Sequence, residues 1–89
     1  DNLKNLKDVK WREPVVISLE GGIPRKVQSV YDAYDFLLHE WAMPIGSMYE
    51  SAIKSCKLAF QGSGCAEIAR RAFIEVSEAH QRLLSPKYE

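Results

Sequence analysis

Val15-Val16-Ile17-Ser18-Leu19-Glu20-Gly21-Gly22-Ile23-Pro24-Arg25-Lys26-Val27-Gln28-Ser29-Val30-Tyr31-Asp32 is the stretch from which the fold is read. Val15, Ile17 and Leu19 alternate with Val16, Ser18 and Glu20, the period-2 signature of a strand with one buried face. Gly21-Gly22 supplies the positive φ angles that a tight hairpin turn demands. Ile23 to Gln28 is the returning strand, with Ile23 and Val27 as its apolar positions. Pro24 has no N–H to give a neighbour, which assigns this strand to a sheet edge. Ser29-Val30-Tyr31-Asp32 then has the form of a capping box and opens a helix.

Beyond this stretch the period changes to that of helices. Val30, Ala33, Tyr34, Leu37 and Trp41 fall on one face, and Pro44 with Gly46 breaks the run. A second box, Ser47-Met48-Tyr49-Glu50, predicts the next helix, whose stripe is Met48, Tyr49, Ala52, Cys56, Ala59 and Phe60. Gly62 is placed to end it. A third helix is expected from Cys65 to Leu84, with Ala69, Ala72, Phe73, Val76, Ala79, His80 and Leu83 inward. Ser85-Pro86 stops it. Upstream, Asp1 to Lys10 is polar and reads as a flexible arm, with one domain over residues 11–85 and a tail over 86–89. The expected fold is α+β: an N-terminal two-stranded antiparallel β-hairpin packed on three α-helices, in the order β-β-α-α-α. A lone hairpin is marginal in water, so its apolar face must rest on the helices.

Bulk composition narrows the function classes. The chain has 89 residues, 46% hydrophobic and 27% charged, the profile of one small soluble domain. Twelve basic residues balance twelve acidic ones, which argues against a strongly basic nucleic-acid binder. No apolar run approaches the roughly 20 residues of a membrane span. No charged n-region followed by an apolar h-region marks a secretory signal. Cys56 and Cys65 are too few for a disulfide scaffold, and a reducing cytoplasm is the expected compartment.

The ordered set Trp11, Pro14-Val15-Val16, Ala33, Leu37-Leu38, Trp41, Ala52, Cys56, Ala59-Phe60-Gln61-Gly62 and Ala69-Arg70-Arg71-Ala72-Phe73-Ile74 resembles a known family. It is similar to the short proteins of rhizobia and related alphaproteobacteria grouped as domain of unknown function nine-eighty-two. The likeness runs from Trp11 to Ala79. Family members usually place Pro directly after the tryptophan, whereas here Ala42 and Met43 intervene before Pro44, which bears on the local turn. The resemblance implies a compact α+β domain in a bacterial cytoplasm and transfers no activity, substrate or catalytic residue.

Side chains that could carry chemistry are few. Cys65 stands at a helix start, where the macrodipole lowers a thiol pKa and makes it the candidate reactive thiol; the plainer reading is an ordinary, partly exposed cysteine. Cys56 belongs to an apolar stripe and reads as core. Asp32, Asp35 and His39 share one helix face within an arc of roughly 60°, a set able to hold a cation or move a proton, and equally a solvated face with acids at a helix start. His80 lies on an apolar edge and reads as a packed or capping histidine. No GxSxG, HExxH or phosphate-binding loop is present, and Gly62-Ser63-Gly64 before a helix is more simply a turn than an anion cradle. No catalytic, cofactor or metal residues are assigned, and the protein is expected not to be an enzyme.

Two function classes remain. The leading expectation is a non-enzymatic protein-interaction module that self-associates or docks on a partner. It would act through the open hairpin edge or through Phe36, Leu58 and Ile74, one large apolar residue off the main stripe of each helix. The alternative is a nucleic-acid-binding accessory protein using a basic patch of Lys10, Arg12, Arg25 and Lys26, with Lys4 and Lys7 on the arm and Trp11 available to stack. A thiol sensor acting through Cys65 is a third reading.

Overall fold

The computed structural model describes residues 10–41, 43–62 and 64–85. The arm and tail otherwise lie outside the described residues. Their order is β1 (Lys10–Ser18), β2 (Pro24–Ser29), α1 (Val30–His39), α2 (Ser47–Phe60), α3 (Ala66–Ala79) and β3 (Leu83–Ser85). The hairpin followed by three helices is the α+β arrangement expected from the sequence. A third strand is added to it: β3 pairs antiparallel with β1, giving the sheet order β2-β1-β3.

β1 and β2 are joined by one 3-10 turn over Glu20–Gly22, with Gly21 at φ +83° and Gly22 at φ +80°. Leu19 N–H donates to Ile23 O at 2.7 Å, closing the hairpin. Val15 faces Val27 across the ladder, and both are fully buried with Ile17. The register slips between Lys10 and Val15, where Pro14 interrupts the donors. There Arg70 Nε donates to Glu13 O at 3.0 Å, so α3 satisfies a carbonyl beside the irregularity.

Ser29 ends β2 and caps α1: its Oγ accepts from Asp32 N–H at 3.0 Å. In the reciprocal half of the box, Asp32 Oδ2 accepts from Gln28 N–H at 3.1 Å rather than from Ser29, which pairs with Lys10 in the sheet. The second expected box does not form. Gly46, at φ +106°, is the cap of α2 and Ser47 is its first helical residue. Gly62, at φ +86°, follows the end of α2 as expected.

α3 stops at Ala79, five residues short of the expected end at Leu84. Gln81 turns left-handed at φ +57°, its N–H donating to Glu78 O at 3.0 Å, and Arg82 N–H donates to Ser77 O at 2.8 Å. This is the closing turn that glycine normally serves, made here by glutamine. It reverses the chain so that Leu83 lies opposite Ile17.

The helices cover one face of the sheet around Phe73. Its ring lies 6.0 Å from Trp11, 6.3 Å from Phe36 and 6.5 Å from Trp41, within the range of favourable aromatic pairs. Cys56 is fully buried, and that burial pushes its thiol pKa up to about 12. Among the described residues no helix is long and apolar enough to cross a membrane.

Candidate functional site

A hollow at the turn end of the sheet, a groove of about 520 Å³, brings apolar, aromatic and charged side chains together. Ile17 and Leu19 of the β1 end form its floor, with Ile23 after the turn on one side. The end of α1 contributes Phe36 and Glu40, and the chain beyond adds Trp41 and Met43. His80 and Arg82, on either side of the left-handed Gln81, close the other wall. Ile23 and Met43 are 60% and 51% exposed, so apolar surface continues past the rim.

Its walls are held by aromatic and ionic contacts. Trp41 stands edge-on to Phe36 at 5.9 Å and 79°, and to His80 at 5.5 Å and 78°. His80 Nδ1 lies 3.0 Å from Val76 O, and since a carbonyl only accepts, Nδ1 is the donor of this hydrogen bond. Arg25 crosses from β2 to α1. Its Nη1 donates to both oxygens of Glu40 at 3.2 Å, its Nη2 donates to Asp32 Oδ1 at 3.2 Å, and its Cζ sits 5.1 Å above the Phe36 ring. Burial works against the Arg25 charge, but the hydrogen bonds and charge of Glu40, joined by Asp32, outweigh it and raise its pKa. Arg82 Nη1 donates to Ser18 O at 3.3 Å.

The residues singled out from sequence fare differently. Phe36 and Ile74 are not surface residues: they are 3% and 1% exposed and lie in the core. The reason is that α1 touches β2, α2 and α3, while α3 touches both other helices, β1 and β3, so neither helix buries just one stripe. Leu58 is exposed, at 37%, beside Leu38 in a shallow hollow between α1 and α2. The three therefore form no common patch.

The hairpin edge is also blunted. β3 covers the outer side of β1. On β2, N–H groups alternate sides, so that of Lys26 shares the outer side with Gln28 and Pro24. Gln28 N–H is taken by Asp32 and Pro24 has none, so of these three residues Lys26 alone keeps an outward N–H for an added strand.

Of the basic patch, Lys10, Arg12 and Lys26 are exposed, but Arg25 is held by two carboxylates. Trp11 is buried against Phe73 and offers no face for a base. Cys65 is exposed as the residue capping α3, and its side chain makes no capping hydrogen bond. The expected Asp32, Asp35 and His39 set divides: Asp32 serves Arg25 and the α1 cap, while His39 Nδ1 turns to Asp35 Oδ1 at 3.0 Å. Among the described residues no group of three or more His, Cys, Asp or Glu gathers as a cation site.

Sequence reasoning missed the groove. Trp41 does pack on the core as its stripe predicts, and its second role in the groove has no periodic signature; Arg82 falls inside the expected third helix because no glycine announces the turn at Gln81. The exposed Ile23 and Met43, flanking the Gly-Gly turn and Pro44, were the available signal.

Fold and groove define a small α+β domain with a hollow at the turn end of its sheet lined by apolar, aromatic and charged side chains. The chain belongs to the family described as protein of unknown function (DUF982), whose model matches residues 13–84. It is similar to the NMR structure of the Agrobacterium tumefaciens protein Atu1219, with 42% identity and a TM-score of 0.73, over 91% of this chain and 81% of that one. No curated protein matches the chain.

Proposed function

We propose that this domain is a non-enzymatic interaction module of the bacterial cytoplasm that seats an apolar segment of a partner protein in the groove at the turn end of the sheet. The observation that carries this reading is the exposure of Ile23 and Met43 on a groove already walled by Ile17, Leu19, Phe36 and Trp41. Apolar surface gathered at one concavity and rimmed by charge is the form of a recognition site. Its openness to the outside suits a chain segment that continues beyond the rim rather than an enclosed small molecule. Cys56 and Cys65, both unbridged, suit a reducing compartment.

The test is selection of random dodecapeptides on the immobilised domain, repeated on Ile23→Glu. Ile23 is exposed, so this change leaves the fold intact while placing a charge on the groove. Apolar peptides recovered by the native chain and lost by Ile23→Glu support the reading. Recovery of none, or of peptides indifferent to Ile23→Glu, removes it. Light scattering on the purified chain addresses a second copy as occupant: a dimer broken by Ile23→Glu would replace the foreign segment with the protein itself.

A further inference from the structure

Three arginines of the described chain are half-buried, and they differ in one respect. Arg25 is paired with Asp32 and Glu40. Arg70 is paired with Glu13 and Glu67. Arg82 reaches no carboxylate among the described residues; its side chain donates to the Ser18 carbonyl. A guanidinium that lines a groove and has no carboxylate of its own there offers its planar fork to one brought by a bound segment, with two parallel hydrogen bonds. The acid that lines the same groove, Glu40, has both oxygens on Arg25 and is already matched.

We infer that the segment seated in the groove carries an Asp or Glu side chain, and that Arg82 is the residue that selects it. This rests on the interaction reading above and adds its chemical class: an apolar stretch with an acidic residue within it. The apolar part lies on Leu19, Ile23, Trp41 and Met43, and the carboxylate reaches Arg82 in the same groove. Pairing with an acid there satisfies donors that Ser18 leaves open. The arrangement also excludes a basic segment, since a second cation at Arg82 would be repelled.

The peptides recovered in the selection provide the test. The expected consensus holds an Asp or Glu among apolar residues, and replacing that acid by its amide weakens binding to the native chain about tenfold, the size of a charge-assisted hydrogen bond. On Arg82→Gln the acid and the amide peptides bind alike, while apolar recognition and sensitivity to Ile23→Glu remain. Arg82→Lys keeps the charge without the fork and retains part of the preference, which lost packing alone would not produce; heteronuclear NMR spectra confirm that both variants are folded. Groove-dependent peptides with no acid preference, or a preference unchanged in Arg82→Gln, would overturn the role of Arg82 and leave the interaction reading standing. Absence of any groove-dependent peptide overturns both.

Discussion

Replacing Gln81 by glycine should stabilise this protein, against the usual effect of adding a glycine. Gln81 sits at φ +57°, with two hydrogen bonds, Gln81 N–H to Glu78 O and Arg82 N–H to Ser77 O, fixing it there. A left-handed backbone costs an L-residue roughly 1–2 kcal/mol through the approach of Cβ to the following carbonyl. Glycine removes that contact and adds freedom to the unfolded chain worth about 0.5–1 kcal/mol the other way. The balance is a gain of about 0.5–1 kcal/mol. For a domain of 60–100 residues each kcal/mol moves Tm by roughly 4–8 °C, so a rise of about 2–8 °C is expected. Urea unfolding followed by circular dichroism is the assay, with the midpoint moving up and the slope unchanged. Gln81→Ala keeps the strain and should stay close to the native midpoint. A Gln81→Gly midpoint equal to or below the native one would refute the strain argument, and with it the account of how α3 ends and delivers Arg82 and β3 to the sheet.

Two further predictions concern the core. Phe36→Ala and Ile74→Ala should cost about 3–5 and 2–5 kcal/mol, because both side chains are buried, whereas Leu58→Ala should cost well under half as much; similar small losses for all three in urea unfolding would return them to the surface. Cys65 should react with a thiol reagent in the native protein and Cys56 only after unfolding, so native labelling of both would contradict the packing. The same burial sets a pH dependence. The Cys56 pKa is raised from 9.0 to about 12 in the folded chain, so the neutral thiol's contribution is complete below pH 9 and declines as pH rises above it, because the unfolded thiol ionises first. Cys56→Ala should flatten that alkaline decline, measured as stability against pH.

Local chemistry made much of the fold legible in the chain itself. Alternation in Val15 to Leu19, two glycines able to take positive φ, and the Ser29–Asp32 cap are decided by neighbours within a few residues, and each appears where the pattern placed it. The helical stripes likewise predicted Ala33, Leu37, Ala52, Cys56 and Phe73 as core, since one buried face suffices to show a period. Periodicity could not show how many neighbours a helix has. Phe36 and Ile74 are buried because sheet and helices meet α1 and α3 from several sides at once. The end of α3 depended on a left-handed glutamine, a conformation that residue seldom adopts and that is held here by the hydrogen bonds closing α3 and by β3 pairing with β1. The groove followed from the same turn. Ile17, Trp41 and Arg82 are far apart in sequence, and they line one groove only because β3 returns beside β1 and brings the end of α3 to the hairpin.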